Sequence, residues 1–432
     1  MGQVSSLVEL ELECCMSLRT DGTSTVLIAP SIARPKLQSF LLATILFGAS
    51  AVSLLILKFA PAPFFWFWLT WTAALWTTIP AVRRSWPRAI LFSLGIVTCQ
   101  LAIAEAYLIT HEYTTTVFSD GFVVPDQVLG FAPTKGIQAH AFKHRTVGLF
   151  HAPSGTLFDV IYTIDSNGLR VAPPYNKSDL AGTAVFFGCS FAFGEGLQDN
   201  QTLPYQVGSR SGGRYRTINF AFEGYSPAQM LAELEHGIVQ GVVDTQPKYA
   251  FYVAIPNHVW RVAGRVAWAA HAPRYVLNAD GTLREEGNFE NREPLALRLG
   301  LGNRIDKQLR KSAIWRAFSM RDYRVNDDDL RLYFAMVRRS QELITAQYPG
   351  IRFRVILWPN QEVPQERETY EKLQEGFSRM AVPFDLVEDI LPGYKTDRSP
   401  YILGSTDHHP NALANRLLAE HLLREMGSNV IE

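Results

Sequence analysis

Three stretches of the chain carry no charged residue: Leu37 to Leu57, Phe59 to Val82, and Ala89 to Ala104, the last continuing past Glu105 toward Ile109. Each approaches the roughly 20 apolar residues a helix needs to cross about 30 Å of hydrocarbon. The middle one contains FFWFWLTWTAALWTTIP and shows no polar face, so the pattern predicts three transmembrane helices over 37–110 rather than amphipathic helices on a soluble core. The first two read as a hairpin turning at Ala60, Pro61, Ala62 and Pro63. Arg34 and Lys36 precede the first span, and Arg83, Arg84 and Arg88 separate the second from the third. The positive-inside rule then puts both loops in the cytoplasm and exports everything from about His111. Glu105 has only the last helical turn beyond it, so its carboxylate is expected to reach the interface. Residues 1–36 are polar and mixed in charge, and are expected to form a disordered cytoplasmic tail. The opening MGQVSS fits the short myristoylation pattern, but a chance match, or a true start at Met16, is the expectation.

Past the third span the pattern changes twice. Residues 111–180 alternate apolar and polar positions, as in FDVIYTIDSNGLRVAPP with its Asn167-Gly168 turn signal, and predict a small β-rich lead-in. From 181 the texture is strand, loop, helix. AVFFG, YRTINFAF, YAFYVAIP and RFRVILWP read as buried strands, with SPAQMLAELEHGIVQ and DDDLRLYFAMVRRSQELITAQ as helices between them. That alternation implies right-handed crossovers and an α/β fold with a mainly parallel sheet. Residues 261–325 interrupt it with an insertion, a lid or a partner surface, that contains a predicted hairpin at Asp280 and Gly281. The closing NALANRLLAEHLLREM is apolar at helical spacing and should pack one stripe on the sheet.

Charge and cysteine usage narrow the picture. Lys plus Arg and Asp plus Glu both count 41, and no basic block with interleaved aromatics appears, which argues against nucleic acid as a partner. Of the four cysteines, Cys14 and Cys15 fall in the tail and Cys99 in a span, leaving Cys189 alone in the exported part. A disulfide framework is not available there.

Two stretches carry candidate chemistry. In VFFGCSFAFGEG a strand ends in a glycine-rich loop with Ser190 at its mouth, which suits either a nucleophile or ordinary turn chemistry. Near the C-terminus, STDHHPNALANRLLAE sets Asp407 two residues before His409 on a loop that Pro410 ends. One loop can thus position a carboxylate and an imidazole, but the same residues also make an ordinary helix N-terminus. The serine lies in G-x-S-x-x-x-G-x-G rather than G-x-S-x-G, which disfavours an α/β-hydrolase. The paired histidines lack further ligands at metal spacing, so no zinc site is expected.

With these blocks in order over residues 184–425, roughly half of the chain, the sequence resembles the SGNH (GDSL-like) hydrolases. The resemblance implies a three-layer flavodoxin-like fold and a serine mechanism without cofactor or metal. Ser190 corresponds to the nucleophile, with its own N–H in the oxyanion hole. Gly224 in NFAFEGYSP corresponds to the backbone donor of the second block, and Asn257 in AIPNHVW to the side-chain donor of the third. Asp407 and His409 correspond to the last block, and the family spacing selects His409 over His408, which is left as a solvated or supporting ring. Three departures stand beside these matches: Cys189 where the family has Asp, Ile255 in place of a glycine, and His258 in place of an Asp. The implied activity is hydrolysis of esters, most simply O-acetyl groups, on extracytoplasmic carbohydrate or lipid by a membrane-anchored bacterial enzyme. Its catalytic domain would lie on the periplasmic or outer face of the inner membrane. An O-acyltransferase needing a separate membrane partner as acyl donor is the alternative. A catalytically silent glycan-binding or assembly component using Trp260 and the insertion is a third reading.

Overall fold

The computed structural model describes residues 33–60, 63–82, 84–110, 113–147, 152–266, 269–289, 309, 311–315, 325–359 and 364–427. The predicted tail up to residue 32, the Pro61-Ala62 turn and most of the second half of the insertion lie outside them.

Three apolar helices open the described chain: α1 (Ala33–Phe59), α2 (Pro63–Thr78) and α3 (Ser85–Thr110). The first starts at Ala33, inside the stretch expected to be tail. Among the described residues, one helix, Ser85–Ile109, is long and apolar enough to cross a membrane. The 16 residues of α2 make a helix of about 24 Å at 1.5 Å per residue. The Thr72 hydroxyl donates to that of Thr98 across α2 and α3 at 2.8 Å.

Glu105 departs from expectation. Instead of reaching an interface it is fully buried, accepting hydrogen bonds from the Ser312 hydroxyl and, at 2.8 Å, from the Ala313 N–H. Lys311 Nζ donates to the Leu57 carbonyl at 2.7 Å. A carboxylate buried on an apolar helix is costly without donors, and segment 311–315 of the insertion supplies them.

The lead-in contains β1 (Tyr113–Phe118), the hairpin β2 (Val123–Asp126) and β3 (Gly130–Pro133), β4 (Gln138–Val147) and β5 (Ala152–Thr163). Strands β1, β4 and β5 form an antiparallel sheet with β4 in the middle. The Asn167-Gly168 turn forms as the sequence predicts, Asp165 Oδ1 accepting the N–H groups of Asn167 and Leu169 at 2.8 and 2.9 Å.

The main body then runs β6 (Gly182–Phe187), α4 (Ser190–Phe193), α5 (Leu203–Arg210), β7 (Tyr215–Asn219), α6 (Pro227–Glu235), α7 (Ile238–Val242), β8 (Pro247–Ala254) and α8 (Asn257–Val262). It continues through β9 (Pro273–Leu277), β10 (Leu283–Asn288), α9 (Asp327–Gln347), β11 (Arg352–Leu357), α10 (Pro364–Arg379), β12 (Phe384–Leu386) and α11 (Val387–Ile390). It closes with β13 (Ile402–Gly404), β14 (Asp407–Pro410) and α12 (Ala412–Glu425). Strands β9 and β10 are the hairpin predicted around Asp280 and Gly281.

Five parallel strands form the central sheet in the order β12-β11-β8-β6-β7. This is the doubly wound order in which the connections leaving β6, to β7, and β8, to β11, run to opposite sides, so a crevice opens between the carboxyl ends of β6 and β8. Period-2 alternation splits the strands between two cores. Ala184, Phe186, Phe251 and Val253 face α5, α12 and the lead-in sheet; Val185, Phe187, Ala250 and Tyr252 face α6, α9 and α10. The lead-in does not stand apart, because Ala139, Phe158, Val160 and Tyr162 belong to the same cluster as Phe186. Helix starts follow their caps: Ser226 with Pro227 and Gln229, Asn326 with Asp329, and Asn411 before α12. The single helix expected over 226–240 breaks at Gly237, whose φ of 74° is left-handed, into α6 and α7.

Candidate active site

Ser190 begins α4, three residues past the end of β6, the strand flanked by β8 and β7. The Ala192 and Phe193 N–H groups donate to the Cys189 carbonyl at 3.0 and 2.9 Å, which closes the turn that carries Ser190. Asn219, the last residue of β7, braces this turn: its Nδ2 donates to the Ala192 carbonyl at 3.0 Å and its Oδ1 accepts from the Ala221 N–H at 3.1 Å.

From the far end of the chain, β14 pairs with β13 and brings Asp407 and His409 over α4. Ser190 Oγ and His409 Nε2 are 2.8 Å apart, and His409 Nδ1 lies 2.6 Å from Asp407 Oδ1. The same carboxylate oxygen accepts the His409 backbone N–H at 3.1 Å. The Asp407 bond fixes Nδ1 as the protonated nitrogen and leaves the Nε2 lone pair for the Ser190 proton. His408 turns to Arg398, whose Nη2 lies 3.4 Å from its Nε2. Phe191 packs beside the His409 ring at 5.1 Å between centroids, backed by Trp358 at 5.6 Å.

Burial alone would pull the His409 imidazole down, but the Glu195 and Asp407 carboxylates outweigh it and hold its pKa above the usual value. For Asp407, burial pushes upward and is overcome by hydrogen bonding and attraction to His409 and Lys143, so its carboxyl titrates well below the usual range. A base kept close to a fixed carboxylate is arranged to carry positive charge while a proton is in transit.

No protein-family model and no curated protein sequence matches the chain. Among solved structures, it is similar to a catalytic mutant of an acetylxylan esterase from Geobacillus stearothermophilus, with a TM-score of 0.34 and 14% identity over 59% of this chain and 97% of that one. It is also similar to a member of the lipolytic protein G-D-S-L family from Veillonella parvula, with a TM-score of 0.32 and 13% identity over 56% of this chain and 96% of that one.

Gly224 and Asn257 follow the two strands that flank β6. Gly224 lies in the loop that follows β7, and Asn257 opens α8 three residues after β8. Asn257 Oδ1 is shut off from solvent without a hydrogen-bond partner. Of the three departures, Cys189 is a buried free thiol ahead of α4, and Ile255 joins the core. His258 is also core: its Nδ1 lies 2.6 Å from the Tyr252 hydroxyl, and burial drives its pKa well down, so it is a neutral ring.

Four site residues were not singled out from sequence. Lys143 on β4 approaches Asp407 Oδ2 at 2.7 Å and Glu195 Oε1 at 3.4 Å. Glu195, in the loop after α4, lies 3.3 Å from His409 Nε2. Arg170 is fully buried, stacks on Tyr162 at 4.2 Å, and donates to the Phe193, Gly194 and Leu197 carbonyls, clamping the loop that carries Glu195. Burial and Glu195 push the Glu223 carboxyl well up, favouring its neutral acid. Glu195, lying between two glycines in the loop after Ser190, left a signal in the sequence; Lys143 and Arg170 left none.

Glu195, Asp407 and His409 bring ligand atoms within 4.8 Å of one another, a spacing a cation could bridge. The Lys143 ammonium already meets Asp407 Oδ2 and Glu195 Oε1, so the cationic role in this cluster belongs to a side chain. Two clefts of about 780 and 720 Å³ open beside the β9–β10 hairpin and α9; no triad residue lines either.

Proposed function

We propose that the chain is a membrane-anchored SGNH-type serine esterase acting on ester groups, O-acetyl foremost, of extracytoplasmic carbohydrate or lipid. The observation that carries this reading is the linear arrangement Ser190 Oγ, His409 Nε2, His409 Nδ1, Asp407 Oδ1, with contacts of 2.8 and 2.6 Å.

The chemistry follows from that line. His409 takes the Ser190 proton as Oγ attacks the ester carbonyl, and Asp407 stabilises the resulting imidazolium. The oxyanion that develops on the carbonyl oxygen would be met by the N–H groups of Ser190 and Gly224 and by the Asn257 amide. His409 then gives its proton to the leaving alcohol, leaving an acyl-Ser190 that an acceptor hydroxyl resolves. Water as acceptor gives an esterase; a sugar hydroxyl gives the O-acyltransferase alternative. The intact hydrogen-bonded line disfavours a silent glycan-binding component.

The membrane half of the proposal draws on the first three helices. Phe47, Leu54, Phe59, Trp86 and Ile103 are each more than half exposed on them, an apolar surface that water would not tolerate and lipid would cover. The Arg83, Arg84 and Arg88 loop would then face the cytoplasm and the α/β body the outside.

A fluorophosphonate probe should label the full chain at Ser190, and Ser190→Ala and His409→Ala should abolish labelling. Unlabelled wild-type protein would refute the serine mechanism. Incubation with acetylated oligosaccharide and a free acceptor sugar then separates the two acceptors, because release as acetate marks the esterase and appearance on the sugar marks the transferase.

A further inference from the structure

The triad needs one carboxylate, and this site has two. Asp407 Oδ1, His409 and Glu195 Oε2 follow one another at 2.6 and 3.3 Å, and Lys143 Nζ closes the circuit by touching Glu195 Oε1 at 3.4 Å and Asp407 Oδ2 at 2.7 Å. All three charged side chains are largely withdrawn from solvent, with exposures of 1% for Asp407 and 12% for both Lys143 and Glu195. Glu195 therefore sits on the Nε2 face of the imidazole, where the reacting atoms pass, and not on the Nδ1 face where a triad acid belongs.

The backbone around Glu195 is fixed from several directions. Its own N–H donates to the Ser190 carbonyl at 3.0 Å. Gly194 before it has a φ of 89°, and a side chain there would meet Thr202 at 2.5 Å. The N–H of the following Gly196 donates to the Tyr162 hydroxyl at 2.8 Å, and Arg170 holds the Gly194 carbonyl at 2.7 Å. On the other side, β4 and β5 shift register at Lys143/His144, with Leu157 as the extra residue. Such a bulge re-aims a side chain, and here the Lys143 ammonium enters the site. The carboxylate is thus held in place by Lys143 and Tyr162 of the lead-in sheet together with Arg170 and the Ser190 turn, which is preorganisation rather than chance proximity.

The electrostatics identify its partner. A neutral His409 with Nδ1 protonated has only a lone pair at Nε2, and Oε2 of Glu195 also offers only lone pairs. In the resting enzyme the Ser190 proton serves Nε2. Once Ser190 is acylated that proton is gone, and two acceptors 3.3 Å apart face the place where the second nucleophile must arrive. A group with two O–H donors satisfies both: water with its two hydrogens, or a sugar diol with one hydroxyl to each. An anionic nucleophile meets like charge there instead.

Building on the serine-ester reading, we propose that Glu195 is a fourth catalytic group, held by Lys143 of the lead-in sheet, which seats the acceptor hydroxyl of deacylation beside His409 Nε2 and selects neutral acceptors with two O–H donors. The acceptor oxygen attacks the acyl carbon as its proton passes to Nε2. The tetrahedral intermediate then collapses, the acyl–Oγ bond breaks, and His409 returns that proton to Ser190. The acyl group leaves on the acceptor, as an acid from water or as a new ester from a diol, and no further reactant is required.

The test uses the full chain in detergent with p-nitrophenyl acetate as donor, glycerol as a neutral diol, and the fluorophosphonate as a reporter of Ser190 attack alone. In Glu195→Gln, deacylation should fall at least about tenfold more than phosphonylation does, and the partition of acetyl to glycerol seen in the wild type should be lost. Glu195→Asp, which withdraws the carboxylate by one methylene, should show the same split. The acid limb of the phosphonylation rate should move to lower pH in Glu195→Gln, where a negative charge beside His409 is lost. It should move to higher pH in Lys143→Met, where a positive one is lost. Equal losses in deacylation and phosphonylation, with unchanged glycerol partition and pH limb, would overturn the proposal. Wild-type protein that the fluorophosphonate does not modify at Ser190 would instead overturn the esterase reading beneath it.

Discussion

The ammonium of Lys143, on the middle strand of the lead-in sheet, lies 2.7 Å from Oδ2 of Asp407 on the last hairpin of the chain. Asp407 thereby has a partner for each oxygen, the His409 imidazole on Oδ1 and the Lys143 ammonium, as an ion pair, on Oδ2. The depressed carboxyl contributes stability that is present above its unfolded value of about 4 and is lost as pH falls through the folded value. Lys143→Met should therefore cost about 3 kcal/mol at neutral pH, as expected for breaking a buried pair from one side. The difference from wild type should shrink as pH is lowered below about 4, which denaturant melts at several pH values would read directly. A constant difference across pH would contradict the pairing.

His409 must be neutral to accept the Ser190 proton, and its pKa is held above the usual value by the two neighbouring carboxylates. Rates of ester hydrolysis should accordingly rise through an acid limb placed above about 6.5. A kcat/KM profile against pH measures it, and a limb below that value would argue against His409 as the base.

Asn257→Ala should lower kcat by about 10²–10³ with little change in KM, the signature of a donor used by the transition state. Asn257→Asp should be at least as damaging, since it puts a carboxylate where negative charge develops. A variant with unaltered kcat would remove Asn257 from the oxyanion site.

Arg170→Met leaves the loop carbonyls of Phe193, Gly194 and Leu197 without their buried donor. A loss of about 3 kcal/mol in unfolding free energy is expected from that change. Ser190 labelling should slow as well, because the Glu195 loop is released. Thermal melts paired with probe kinetics test both parts.

Glu105→Ala would strip acceptors from the Ser312 hydroxyl and the Ala313 N–H in a buried setting. A cost of about 1–3 kcal/mol is expected, with Ser190 reactivity retained. Limited proteolysis of the detergent-solubilised protein should find the 311–315 segment more accessible in the variant.

Much of this architecture was legible along the chain, for reasons that are local. The buried strands at AVFFG, YRTIN, YAFYVA and RFRVIL announce themselves because parallel strands covered on both faces must be apolar throughout, and α9 and α12 because their stripes recur at helical spacing. Strand β12 escaped because three residues, FDL, are too few for a pattern. Helix α10 escaped because its apolar face is only Tyr370, Leu373 and Phe377 in an otherwise charged sequence. Loop chemistry marked Ser190, Asp407 and His409 as candidates, and the resemblance to SGNH hydrolases gave them their roles before any coordinates placed them in hydrogen-bond contact.

The charges around them could not be chosen that way. Lys143 and Arg170 carry no local signal of the groups they meet, and the same holds outside the site for Glu105, expected at an interface; each finds its partner on a segment remote in sequence. Local periodicity and turn chemistry are properties of neighbouring residues, so the sequence by itself determined the strongly patterned strands and helices, their order and the candidate residues of the site. Which charges meet depends on how a β-rich lead-in closes over a parallel sheet and how an insertion folds back onto a helix. Coulomb energy and desolvation follow distance in space, and only the tertiary structure decided those distances.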